Sequence, residues 1–440
     1  MRTILLLVGL LLGGSSMAAD WPQFRGPRAC GLDDSAAAPT EWDVESGKNI
    51  RWKTAIPGLS HASPIVWEDR VYLITATGPR KAELKVGLYG DPTSAEDQGE
   101  HQWRVLAVDR STGKILWNEV GYHGIPRVKR HPKATHANST PATDGHRIVA
   151  IFGSEGLFCF DTNGHLVWKK DLGPMDCGAY NMATAQWGFA TSPIIHEGKV
   201  VVQCDVQTNS FLALFNLEDG KEIWRTPRKD VPAWSTPAIA RVGDQTQILI
   251  NGWHHTGGYD FQTGKEIWKL DGGGDVPVPT PIIAHGLSYF TSAHGTRVIR
   301  AIHLDAKGDI TPPELGDTNA AIAWVQLRQG NYMQTPIVVG EYLYGCFDNG
   351  VLTCFDAKTG NIAYSERLSS GGEGFTASPV SDGRNLYFAS ETGTVYVVPT
   401  GPTFSVVGKT KMGETCMASP ALANGTLYYR LRENLVAIGQ

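Results

Sequence analysis

A Ser/Thr-Pro step recurs eight times along this chain, and it limits the fold more than any other feature. The copies are Ser63-Pro64, Thr140-Pro141, Ser192-Pro193, Thr236-Pro237, Thr280-Pro281, Thr335-Pro336, Ser378-Pro379 and Ser419-Pro420. Their prolines are separated by 77, 52, 44, 44, 55, 43 and 41 residues. An apolar β-branched run and a Gly- or Asp-containing turn follow, as in Ile194 to Gly198 and Val338 to Gly340. Proline is tolerated at the first residue of a strand, where its missing N–H falls outside the ladder, so each Pro marks a strand start. Recurrence at this period is the mark of units that bury their faces only by stacking on neighbours.

A second marker closes most units. Asp109-Arg110-Ser111-Thr112-Gly113-Lys114 leads to Trp117, Asp161-Thr162-Asn163-Gly164 to Trp168, Asp219-Gly220-Lys221 to Trp224, and Thr263-Gly264-Lys265 to Trp268. The pattern returns from Asp356 to Tyr364 and, stretched, from Asp305 to Trp324, and loses its aromatic between Pro399 and Val407. The carboxylate and hydroxyl can satisfy turn N–H groups while Gly takes the positive φ, so these are hairpin turns. The eighth unit ends at Leu435-Val436-Ala437-Ile438 without a last strand, whereas Asn49-Ile50-Arg51-Trp52-Lys53 has that pattern and no unit of its own. Pairing the two removes the exposed edge of an open array. The expected fold is an all-β, eight-bladed β-propeller of four-stranded antiparallel blades, closed by an N-terminal strand that completes the last blade.

Trp52, Trp117, Trp168, Trp224, Trp268 and Trp324 are expected to dock one blade on the next. Burying about 150 to 250 Å² apiece at roughly 25 cal/mol/Å² is worth on the order of 4 to 6 kcal/mol before entropy. The expected organisation is a signal peptide over 1–19, an N-terminal segment over 20–48 and the propeller over 49–440. Arg2, the apolar run Ile4 to Leu12 and the small residues Ser16 to Ala19 carry the export reading. A periplasmic or extracellular protein with no transmembrane segment after cleavage is the consequence, and no lipid-attachment Cys follows the apolar run. A formal charge of −5 offers no dominant basic face for nucleic acid. Seven cysteines leave at least one unpaired. Cys346 and Cys354 flank a turn and read either as a close pair or as small buried hydrophobes.

The eightfold step and the D-x-x-T-G-K-x-x-W element resemble the pyrroloquinoline-quinone-like (PQQ-like) repeat family over nearly all of the chain from Asn49 to Gln440. Trp21-Pro22-Gln23-Phe24-Arg25-Gly26-Pro27 is similar to the start of that family's exported branch. Two groups share the implied fold: quinoprotein alcohol dehydrogenases, which hold PQQ and calcium over the channel, and the outer-membrane β-barrel assembly factor B, which binds proteins. The dehydrogenase resemblance implies an adjacent Cys-Cys pair that is missing here, and no local motif fixes its acidic calcium ligands.

Residues just before each Ser/Thr-Pro step are expected to gather at one mouth of the channel. The candidate cofactor-binding set is His61, His136, Asn138, Trp187, Trp234 and Tyr332, within a wider ring that includes Phe189, Met333, Phe375 and Met417. The ring reads either as a small-molecule site or as an aromatic plug of the channel. No catalytic residue and no metal site are assigned. Asp205 is a weak candidate base or calcium ligand against a turn-capping role, and adjacent His254 and His255 face opposite sides of a strand. Two long departures, Gly78 to Gln102 and the basic Tyr122 to Asn138, are placed where binding often lives. The basic stretch reads as a solvated loop or as a surface for an anionic partner. The expected function is a non-catalytic binding or scaffold module for a protein or glycan partner in the cell envelope, with no cofactor. The alternative is a divergent PQQ- and calcium-dependent alcohol dehydrogenase.

Overall fold

A computed structural model describes residues 20–79, 83–87, 93–180, 182, 184–274 and 276–440, so the export reading on 1–19 lies outside the described residues. Each Ser/Thr-Pro step is followed at once by the innermost strand of a blade. These strands are Ile65–Trp67, Ala142–Thr143, Ile194–His196, Ala238–Val242, Ile282–Ala284, Ile337–Val339, Val380–Ser381 and Ala421–Ala423, numbered here blades 1 to 8. Three antiparallel strands lie outside each, giving the eight-bladed all-β propeller expected from the repeat. Ring closure is also as expected. Ile50–Ala55 pairs antiparallel with Asn434–Ile438, setting Thr54 opposite Leu435, and becomes the outer strand of blade 8. Blade 4 carries an extra strand, Gly308–Asp309, parallel to its outer strand Glu266–Asp271. The stretched connection of blade 5 is used there.

The hydroxyl of the repeated step has a role that the proline alone did not suggest. The backbone N–H of Ser63 donates to Thr140 Oγ1 at 2.9 Å, that of Thr140 to Ser192 Oγ at 2.9 Å, and that of Ser192 to Thr236 Oγ1 at 3.1 Å. A second arc runs from Thr280 to Thr335 Oγ1 at 3.0 Å, from Thr335 to Ser378 Oγ at 2.9 Å, and from Ser378 to Ser419 Oγ at 2.9 Å. These N–H groups are buried ahead of a residue that has none, so each would be an orphan without its neighbour's oxygen. The oxygens that begin the arcs, Ser63 Oγ and Thr280 Oγ1, have no partner among the described residues.

Contacts at the outer strands follow from the second marker. Trp52, Trp117, Trp168, Trp224 and Trp324 donate their indole N–H groups to carbonyls of the next blade, at Arg110, Thr162, Leu217, Phe261 and Ala357, over 2.8 to 3.1 Å. The turn glycine lies against the ring: a Cβ on Gly264, held at φ +69°, would come within 2.5 Å of Trp224. Trp268 is fully buried instead against the edge of Phe290, with ring centroids 5.7 Å apart.

Residues 20–33 cross one end of the channel. Trp21 exchanges backbone hydrogen bonds with Val66 in blade 1, and the Pro22 carbonyl accepts from Thr143 in blade 2. The buried Arg25 guanidinium then donates to the carbonyls of Pro336 and Pro379, both at 2.9 Å, and Gly31 accepts from Ser381 in blade 7. Burial lowers the Arg25 pKa to about 10, which still leaves it cationic at neutral pH. All seven thiols are free, and Cys346 and Cys354 are buried apolar fillers. Among the described residues no helix is long and apolar enough to cross a membrane.

Candidate functional site

The opposite end of the channel opens into a cavity of about 520 Å³. Its base is the ring of Ser and Thr residues, and Phe24 reaches it from the crossing segment. Five of the six candidate residues line it: His61, Asn138, Trp187, Trp234 and Tyr332. Met333 and Met417 join them. The Trp187 and Trp234 rings lie 5.6 Å apart at 32°, and the Trp234 indole N–H donates to the Gly188 carbonyl at 2.8 Å. Tyr332 packs on His294 at 5.6 Å. Asn138 Oδ1 accepts from the N–H and the hydroxyl of Thr135, which braces its loop. His61 Nε2 lies 2.8 Å from the Lys133 carbonyl. Because a carbonyl only accepts, that nitrogen carries the proton. Burial drives the His61 pKa down to about 4, against those hydrogen bonds, so the ring is neutral at pH 7.

The two departures meet over this mouth. Lys133 Nζ lies 2.7 Å from Glu391 Oε1 in blade 7 and 2.7 Å from the Gly87 carbonyl in the blade 1 insertion. Gly87 N–H donates to Glu391 Oε2 at 2.7 Å, and the Thr376 hydroxyl completes the carboxylate's set. Glu391 is fully buried, and these donors account for its charge. Other cations of the basic stretch are paired as well: Arg127 with Asp171 at 3.0 Å, Lys129 with Glu96 at 2.5 Å and Arg130 with Asp97 at 2.6 Å. The stretch is therefore neither a free basic surface nor a solvated loop. Lys129, Arg130 and Lys133 clamp the insertion, and Arg127 ties the stretch to Asp171 after the outer strand of blade 2.

Several candidates fall elsewhere. His136 is not on the cavity wall; its ring packs against His101 and Trp103, with centroids at 4.8 and 6.1 Å. Phe189 and Phe375 are buried in the cores between blades. Asp205 is neither a turn cap nor an open ligand. It is fully buried against Arg228, with Oδ1 to Nε at 2.7 Å, and Gln203 donates to Oδ2 at 2.8 Å. Arg228 also binds Asp230 at 2.9 Å and the Tyr259 hydroxyl at 2.7 Å. His255 joins the edge of this cluster through Glu266 at 2.9 Å. A guanidinium thus occupies the place where a cation would sit.

Other wall residues were missed. His131 and Lys133 come from the basic departure, which the sequence did flag, but Phe24, His294 and Val276 carry no repeat signal. Val276 is held at φ +53°. It is the one β-branched residue in the left-handed region among the described residues, a conformation that is sterically costly for such a side chain.

Comparison with known proteins bears on this site. The family described as outer membrane protein assembly factor BamB, of the PQQ-like repeat type, matches over residues 36–202, 101–366 and 209–438. The chain belongs to this family. A BamB from Shewanella oneidensis is 22% identical over 275 residues, covering 60% of this chain and 64% of that protein, so the match spans just under two thirds of the relative's length. The crystal structure of BamB from Moraxella catarrhalis superposes with a TM-score of 0.55 at 13% identity, over 83% of this chain and 98% of that one. A europium-containing methanol dehydrogenase superposes with a TM-score of 0.63 at 11% identity, over 96% of this chain and 89% of that one. At such identities the structural likenesses establish the shared propeller and no activity.

Proposed function

We propose that this is an exported, non-catalytic propeller of the BamB family that binds a protein partner of the cell envelope at its channel mouth. The observation that carries the reading is the wall itself, built from Trp187, Trp234, Tyr332, Met333 and Met417. Rigid aromatic rings supply contact area at low entropic cost, and methionines adapt to what enters. The outer-strand tryptophans act in this reading as docking residues that hold the blades around the mouth.

The dehydrogenase alternative asks the same wall to hold a quinone bearing several carboxylates, together with calcium. Among the described residues no Asp, Glu or Arg lines the cavity, and its one ammonium, Lys133, is engaged by Glu391. Calcium takes six to eight oxygen ligands, usually including carboxylates. The donor set fits neither group.

A photo-cross-linking residue at Met333 in cells tests the proposal, with the exposed Leu166 on the outer strand of blade 2 as control. A discrete envelope-protein adduct from position 333 alone is the expected result. A glycan adduct would transfer the site to carbohydrate binding, and no adduct, or equal adducts from both positions, would overturn the proposal.

A further inference from the structure

We propose that Asp97, His101 and His136 form a binding site for a transition-metal ion of zinc type, separate from the channel cavity. Asp97 belongs to the blade 1 insertion, His101 begins the strand His101–Asp109, and His136 lies in the loop that leads to blade 2. One ligand atom from each lies within 4.8 Å of the others. Two imidazoles and one carboxylate match the nitrogen-rich sets that zinc, cobalt and nickel prefer over the all-oxygen sets of calcium and magnesium.

Hydrogen bonds around the three groups orient them as ligands. His101 Nδ1 lies 2.8 Å from the Gly99 carbonyl, which can only accept, so Nδ1 is protonated and the lone pair is on Nε2. An outer imidazole N–H on a backbone carbonyl is the usual brace of a ligating histidine. Asp97 Oδ2 accepts from Arg130 Nε at 2.6 Å, which aims Oδ1 at His136 Nε2, 3.3 Å away. Trp103 donates to the His136 carbonyl at 2.8 Å and packs its ring on both imidazoles, with centroids at 5.8 and 6.1 Å. The His101 residue is buried, whereas the Asp97 side chain keeps 20% of its surface and the His136 side chain 9%. An ion and its water can therefore enter from the Asp97 side.

Bonds of about 2.1 Å place two ligand atoms at most about 4.2 Å apart, so binding draws the groups together by about half an ångström or more. The ion takes the place of the proton that His136 Nε2 shares with Asp97. It then ties the insertion to the loop that carries His131, Lys133 and Asn138 to the cavity wall. Metal occupancy would fix the lip of the mouth whichever partner the cavity takes.

Calorimetry of the metal-stripped full chain with zinc chloride tests this. One equivalent binding at about 10 µM or tighter is expected, with D97N and H101Q each at least about tenfold weaker, and the exposed-histidine variant H165Q unchanged. Cobalt absorption on the wild-type chain gives a readout independent of any variant, with visible bands expected for a low-coordinate nitrogen–oxygen site. No zinc binding up to about 1 mM, binding of equal strength in D97N, or a cobalt spectrum like that of the hexa-aquo ion would overturn the proposal.

Discussion

At the scale of single residues, the Ser and Thr hydroxyls beside the channel divide into two kinds. Ser192 Oγ is the acceptor of the buried Thr140 N–H, whereas Thr280 Oγ1 accepts nothing. Ser192→Ala is expected to cost about 1–3 kcal/mol, the penalty of an orphaned buried donor. Thr280→Val, which keeps the shape and every N–H partner, is expected to change stability by under about 0.5 kcal/mol. Urea midpoints compare them, and equal losses would contradict the two-arc arrangement. His61 supplies a pH dependence with a definite sign. Its folded pKa is about 4 against an ordinary 6.5, so between those values the unfolded chain holds a proton that the folded chain does not. Stability from this group is full above pH 6.5 and is lost as the pH falls toward 4, by up to about 3 kcal/mol. His61→Gln keeps an N–H donor and cannot titrate. Its urea midpoint should fall less than the wild type's between about pH 7 and pH 4.5; equal falls would show that His61 is not the titrating group.

Elements meet in ways that local sequence cannot display. Glu391 receives Lys133 from 258 residues away and Gly87 from 304 residues away. Glu391→Gln leaves a half-buried ammonium without its counter-charge, for an expected loss of about 3–5 kcal/mol, and frees the blade 1 insertion. Faster limited proteolysis within that insertion checks it, and an unchanged cleavage rate would contradict the clamp. The same distances explain what was legible. Strand starts, blade number and ring closure were readable because Pro, Gly and Trp recur in register, each serving a local need. His61, Asn138, Trp187, Trp234 and Tyr332 were readable because register brings the segments before the steps to one mouth, although within those segments Phe189 and Phe375 turn into the cores. His136 broke the pattern because its loop folds back on His101 and Trp103. Phe24, His294 and the clamp depend on contacts between blades or across the channel, and no periodicity encodes those. The basic stretch was misread for a similar reason, since its carboxylate partners lie on other elements.

For the whole molecule, closure and plugging come from one N-terminal stretch. Residues 20–33 cross the channel and Ile50–Ala55 completes blade 8. Deleting residues 20–55 leaves Asn434–Ile438 as an unpaired edge, and exposed edges template association. Size-exclusion chromatography should show oligomers, and a monomer as heat-stable as the full chain would contradict this closure. With residues 20–33 crossing one end, the channel opens at the other into a cavity whose wall, among the described residues, is uncharged apart from the engaged Lys133. In the proposed function, that wall suits a protein partner and not a quinone bearing carboxylates. The direct measurement is a calorimetric titration of the full chain with PQQ in the presence of excess calcium. The account predicts no heat beyond dilution, and saturable binding that Trp187→Ala abolishes would contradict it.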